Sequence, residues 1–195
     1  MTTALLAVLA GYLLGSIPFG LVLTRAVGLG DIRAVGSGNI GATNVLRTGR
    51  KDIAAATLLL DGAKGAVVVL AMRHWAGEVP ALLAGVAAVV GHCTSPWVGF
   101  KGGKGVATAL GVVLAWSWQA GLLCLLAWLA AASLSRRSSV GSLAAMAAAP
   151  ILLFALCDGP MALAGLLAAA ISIFRHHANI SRLLAGTEPR IGQGR

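Results

Sequence analysis

Three short segments hold most of the side chains able to do chemistry, and each sets them among small residues or cations. The first is Gly36-Ser37-Gly38-Asn39-Ile40-Gly41-Ala42-Thr43-Asn44-Val45-Leu46-Arg47. Successive N–H groups in a glycine-rich turn form a nest for an anion. Ser37, Asn39, Thr43 and Asn44 add hydroxyls and amides, and Arg47 can grip a phosphate through two parallel hydrogen bonds. The glycine spacing also matches a dinucleotide site, and Asp61 follows Gly41 by 20 residues. That reading fails, because no βαβ unit surrounds the glycines and Asp61 falls inside an apolar run.

The second segment, residues 95–108, centres on Phe100-Lys101-Gly102-Gly103-Lys104-Gly105. It lacks the spacing of a Walker A loop. Two lysines flanking paired glycines at the start of an expected helix still make an anion site, to which the helix N-terminus adds partial positive charge. Anchoring on anionic lipid headgroups is the plainer use of the same lysines. The third segment, residues 174–188, reads as a short amphipathic helix ended by Gly186. Helical spacing puts His176 and Asn179 on one face. A histidine beside an asparagine and arginines suits proton transfer or donation to phosphate. His176 and His177 are adjacent, so their side chains diverge on a helix and do not suggest a metal. Cys93, Cys124 and Cys157 lie far apart without ligand spacing and read as small buried hydrophobes. No cofactor or metal is expected.

The elements that must position these segments are membrane helices. The chain is 58% hydrophobic and only 11% charged over 195 residues, with a mean hydropathy of +0.88. A soluble domain of this size has too little polar residue content to form its exterior. Runs of about 20 apolar residues are needed to cross a hydrocarbon core of roughly 30 Å. Candidate spans cover about 2–24, 53–72, 79–93, 105–116, 119–134, 140–157 and 160–174. The fourth and fifth are divided at Trp116-Ser117-Trp118-Gln119, an interfacial turn. The sixth and seventh are divided at Asp158-Gly159-Pro160. The expected fold is therefore an all-α integral membrane protein of about seven transmembrane helices, forming a single domain.

Charge sets the expected orientation. With the N-terminus outside, 13 of the 15 lysines and arginines, Arg195 among them, fall on the cytoplasmic side, and only Arg73 falls opposite. That asymmetry places the C-terminus and all three polar segments in the cytoplasm. The net charge of +9 sits in short loops between spans, which suits membrane lipids and anionic substrates rather than a nucleic acid. Lys64 lies inside the second span, three residues from Asp61, close enough to pair. Such a pair either serves function or orients the helix. His92 reads as a hydrogen-bonded interface histidine.

Four ordered motifs, GSGNIGATNVLR, LDGAKG, GHCTSPWVGFKGGKGVAT and RHHANISRLLAGTE, cover the chain from end to end. In these the chain resembles the bacterial acyl-phosphate:glycerol-3-phosphate acyltransferases, the PlsY family. The resemblance implies seven transmembrane helices in the bacterial cytoplasmic (inner) membrane, with the active site on the cytoplasmic side. It implies transfer of an acyl group from a fatty acyl phosphate to the 1-hydroxyl of glycerol 3-phosphate, a step towards phospholipids. It implies roles for Ser37 and Arg47 in the first motif, and for Gly102, Gly103 and Lys104 in holding glycerol phosphate. It further implies functional roles for His176, Asn179 and Glu188. One departure is visible: His177 stands where the family usually has Arg or Lys.

Two phosphorylated substrates require a pocket that brings two anions together, and Arg47, Lys101, Lys104 and Arg182 can offset their repulsion. Ser37 and Asn39, with loop N–H groups, suit polarisation of the acyl carbonyl. Direct attack by the glycerol hydroxyl is the expected route, its proton passing to His176 or to a substrate phosphate. An acylated Ser37 is the rival. The rival function is a transporter of phosphorylated solutes. Transporters, however, gather polar groups near the midplane in repeated halves, whereas here polarity collects at one face.

Overall fold

The computed structural model describes residues 2–192, so Arg195, counted above among the cytoplasmic charges, lies outside the described residues. Inside hydrocarbon every backbone N–H and C=O must be satisfied within its own segment, and apolar runs become helices for that reason. The described residues form α1 (Thr2–Ser16), α2 (Phe19–Ala26), α3 (Ala42–Val45), α4 (Lys51–Ala76) and α5 (Glu78–Cys93). They continue as α6 (Val106–Trp116), α7 (Trp118–Ser135), α8 (Ser138–Leu156), α9 (Gly159–Arg175) and α10 (His177–Leu184). No strand occurs among the described residues.

Five stretches are long and apolar enough to cross a membrane: α1 with α2, α4, α5 with the turn after it, α7 and α8. A sixth is α9 with α10, bent by 60° at their junction. The architecture is thus an all-helical membrane bundle with five to six candidate spans. Helix α6 has 11 residues, so it rises about 16 Å, short of a full crossing.

Large apolar side chains on α1, among them Leu5, Leu6, Leu9 and Leu13, face outward, as a lipid-bathed helix allows. Its inner face is instead made of small residues. A Cβ on Gly11 would stand 2.3 Å from the Ala84 carbonyl oxygen, and one on Gly15 would stand 2.2 Å from that of Ala88. The backbones of α1 and α5 therefore touch, which is how helices associate where lipid supplies no hydrophobic drive. The central core is filled by Val69, Val89, Val112, Met146 and Leu153 from α4, α5, α6 and α8.

Helix boundaries follow local chemistry. Pro18 separates α1 from α2, since its ring cannot continue the hydrogen-bond ladder. Asp158 caps α9 by accepting from the Met161 N–H at 2.8 Å, with Pro160 in the first turn. At one end of the bundle the Arg73 guanidinium pairs with Glu78 at 2.8 Å and donates to the Trp116 carbonyl at 3.3 Å. This ties together the ends of α4 and α6 and the start of α5. The opposite end carries the three polar segments. There α6 begins deep: Thr108 lies against Gly65, midway along α4, where a Cβ would come within 2.6 Å of the Thr108 carbonyl oxygen. The loop ahead of α6 consequently dips between the helices.

Candidate active site

Asn44, buried beneath the first segment, shapes it. Its amide Nδ2 donates to the carbonyls of Ile32 at 2.9 Å, Val35 at 3.0 Å and Asn39 at 2.8 Å. Its Oδ1 accepts from the Ser37 N–H at 3.0 Å and from the Ser37 hydroxyl at 3.2 Å. Asn39 Oδ1 accepts from the Gly41 N–H at 2.9 Å, a side-chain turn that closes the loop. Gly36 and Gly38 take φ of +56° and +68°, left-handed positions where only glycine is free of penalty. Arg47 lies back across the loop, with Nη1 2.7 Å from where a Gly36 Cβ would stand. Ser37 is exposed at the loop tip, and Leu21, Ile32, Val45, Ile53, Ala54 and Val98 form the apolar base.

The second segment is held from two sides. The Gly102 N–H donates to the Cys93 carbonyl at 3.2 Å, and the Gly103 N–H donates to that of His92 at 3.0 Å. From α9, Arg175 donates to the carbonyls of Gly102 at 3.0 Å and Gly103 at 3.2 Å. The Ser172 hydroxyl donates to the Lys104 carbonyl at 2.7 Å. Neither paired glycine has room for a side chain: a Cβ on Gly102 would meet the His92 carbonyl oxygen at 2.1 Å, and one on Gly103 the His92 ring at 2.1 Å.

The electrostatics of Lys104 show which groups meet. Burial lowers its pKa to about 8. Glu188 acts against that shift, while the positive charges of Arg182, Arg47 and Arg175 reinforce it. One lysine therefore feels charges from the first segment, from the end of α9 and from α10. Lys101 stands exposed at the rim.

His176 occupies the corner between α9 and α10 and is buried. Its Nδ1–H donates to the Ser172 carbonyl at 2.7 Å, which leaves Nε2 as the ring's acceptor. Burial pushes its pKa down to about 4, against the pull of the Ser172 hydrogen bond and with help from nearby Lys104. It is therefore neutral at pH 7. Asn179 donates to Glu188 Oε1 at 2.6 Å, and Arg182 donates to Oε2 at 2.7 Å. Burial raises the Glu188 pKa, but the polar groups around it, Asn179, Ser139 and Arg182 with its charge, outweigh burial, and the carboxyl sits below its ordinary value. Asn179 Oδ1 is buried and has no hydrogen-bond partner among the described residues. His177 is exposed on the outer side, bonded to the Phe174 carbonyl at 3.1 Å.

Of the residues singled out from sequence, Arg47, His176 and Glu188 lie within electrostatic reach of Lys104, and Asn179 is hydrogen-bonded to Glu188. Ser37 and Asn39 stand on the neighbouring loop that Arg47 braces. Sequence reasoning missed Asn44, Arg175 and Ser172 as organisers. Asn44 stood inside the first motif and Arg175 beside His176, so both were in view. Nothing in the local sequence marks Ser172.

The family model for glycerol-3-phosphate acyltransferase matches residues 5–186. The chain belongs to that family. A glycerol-3-phosphate acyltransferase from Cereibacter sphaeroides is 56% identical to this family member over 183 residues, covering 94% of this chain and 87% of its own. One from Paramagnetospirillum magneticum is 57% identical over 188 residues, covering 95% and 92%. Among solved structures, PlsY (YgiH), an integral membrane glycerol 3-phosphate acyltransferase in its glycerol 3-phosphate form, superimposes with a TM-score of 0.92. It is 42% identical, with 97% of this acyltransferase and 96% of that chain covered. The lysophosphatidic acid form gives a TM-score of 0.90 at 40% identity.

Proposed function

We propose that this acyltransferase moves a fatty acyl group from an acyl phosphate to the 1-hydroxyl of glycerol 3-phosphate, releasing 1-acylglycerol 3-phosphate and inorganic phosphate. The observation that carries the reading is that the charges of Arg182, Arg47 and Arg175 all bear on a partly desolvated Lys104, itself beside His176. A pocket so cationic suits two phosphates at once. The solved relatives, in glycerol 3-phosphate and lysophosphatidic acid forms, correspond to this acceptor and this product.

Lys104 and the loop of Gly102 and Gly103 hold the phosphate of glycerol 3-phosphate. Arg47 and the nest of the first loop receive the donor phosphate, with Lys101 at the rim. Asn179 Oδ1 accepts from a glycerol hydroxyl, and Glu188 contributes by fixing Asn179 and Arg182. The hydroxyl oxygen attacks the acyl carbonyl while Ser37, Asn39 and loop N–H groups polarise it. The acyl carbon–oxygen bond to phosphate then breaks, and phosphate leaves with the electron pair. The hydroxyl proton passes either to a substrate phosphate or to His176 Nε2, the ring nitrogen left as acceptor by the Ser172 hydrogen bond. The Ser37 hydroxyl points to Asn44, and no Ser37–His176 hydrogen bond occurs among the described residues, which favours direct attack over an acyl-enzyme.

In the membrane, seven crossings with the N-terminus outside, the fourth made by α6 together with the loop that dips ahead of it, would put this end of the bundle in the cytoplasm, where glycerol 3-phosphate is found. The test is acyl transfer by protein purified in detergent, using labelled glycerol 3-phosphate and palmitoyl phosphate. Lysophosphatidate that disappears in Ser37→Ala supports the reading. Bound glycerol 3-phosphate with no product would favour a transporter.

A further inference from the structure

Beneath the second segment lies a buried cluster that the reaction itself does not use. Lys64 of α4, Asp61 one turn earlier and His92 of α5 are only 3%, 2% and 4% exposed. The Lys64 ammonium has three N–H groups, and the structure uses all three. They reach Asp61 Oδ1 at 2.8 Å, the Ile17 carbonyl at 2.7 Å and His92 Nδ1 at 2.9 Å. The Ile17 carbonyl lies at the break between α1 and α2, and the Phe19 ring after that break stands 5.7 Å from the ammonium. Three elements thus converge on one cation. Buried charge is costly in a membrane and persists where it has a task.

A lysine ammonium only donates, so His92 Nδ1 must accept and the ring proton must sit on Nε2. That Nε2 lies 2.1 Å from the position a Gly103 Cβ would take, which places the N–H edge of the ring directly against the loop. The same residue's backbone carbonyl holds the Gly103 N–H at 3.0 Å. We infer that Asp61 and Lys64 fix the tautomer and position of His92, and that His92 in turn sets the shape of the Gly102–Gly103 loop for the phosphate of glycerol 3-phosphate. The three are positioning residues. The inference rests on the proposed role of that loop as the glycerol 3-phosphate site.

The test measures KM for each substrate and kcat in His92→Leu, His92→Gln, the double variant Asp61→Asn with Lys64→Met, and Lys104→Met. The double variant removes both charges together, so no unpaired ion is left buried. His92→Leu and the double variant are expected to raise KM for glycerol 3-phosphate at least about tenfold, as a displaced binding loop should. Their kcat should stay within about threefold of wild type, and KM for palmitoyl phosphate should hold. His92→Gln, whose amide N–H reaches the place of Nε2, should recover most of the loss. An unchanged glycerol 3-phosphate KM in His92→Leu overturns the inference if Lys104→Met still raises it. So do losses in both KM values and kcat that simply track thermal stability. An unchanged KM in Lys104→Met overturns the reading of the loop itself.

Discussion

Adding one methyl group to Gly102 should cripple glycerol 3-phosphate binding while leaving the bundle folded. The new Cβ would stand 2.1 Å from the His92 carbonyl oxygen and 2.8 Å from the Cys93 carbonyl carbon. Both are backbone atoms at the end of α5, with no rotamer through which to yield. Contact between such atoms settles near about 3.5 Å, so the loop must retreat by more than about 1 Å. Its hydrogen bonds to Cys93 and from Arg175 stretch with it. Misplacement on that scale costs about a hundredfold in a site that works by positioning. The assay follows lysophosphatidate from palmitoyl phosphate across a range of glycerol 3-phosphate concentrations. Gly102→Ala is expected to lower kcat/KM for glycerol 3-phosphate about a hundredfold, chiefly through KM. Gly159→Ala, at the start of α9 with nothing within 4 Å of the new Cβ, should match wild type. A Gly102→Ala enzyme with wild-type KM, or equal losses in both variants, would refute the steric reasoning.

Lys104 is charged below its pKa of about 8 and neutral above it. For the free enzyme, kcat/KM for glycerol 3-phosphate should therefore fall as pH rises through 8, and Lys104→Arg should abolish that fall. Glu188→Gln removes the charge that holds Arg182 and Asn179. Because Arg182 is 40% exposed, the cost is about 1 kcal/mol, or a midpoint lowered by about 2–4 °C in thermal unfolding. The Glu188 pKa is depressed, so this stability is present above the ordinary carboxylate range and fades as pH drops through the folded value. The gap between wild type and variant should close on acidification. Finally, brief exposure to palmitoyl phosphate alone, followed by acid quench and intact-mass measurement, should leave Ser37 unmodified. An added palmitoyl group there would restore the acyl-enzyme route.

The sequence displays the parts of this site better than it displays their assembly. Glycines, lysines and the His176–Asn179 spacing are visible because motifs are local. The Asp61–Lys64 pair is visible for the same reason: residues three apart share a helix face. What holds the second loop in place is not local. Arg175 reaches glycines 72 and 73 positions earlier, and Ser172 reaches Lys104 across 68. No periodicity within one chain announces such pairings. His92 resembles an ordinary interface histidine until Lys64, 28 residues away, is seen to fix its ring. Hydropathy locates the apolar runs but not the depth at which they begin. Four residues after Lys101 are spent in a loop that dips between helices, and α6 is shorter than a crossing as a result.

The donor is the claim that most directly tests a site built for two phosphates. One preparation would be offered glycerol 3-phosphate with either palmitoyl phosphate or palmitoyl-CoA, and lysophosphatidate and inorganic phosphate would be measured together. Equal amounts of both products from palmitoyl phosphate, and none from palmitoyl-CoA, is the predicted result. Lysophosphatidate formed from palmitoyl-CoA at a comparable rate would contradict it.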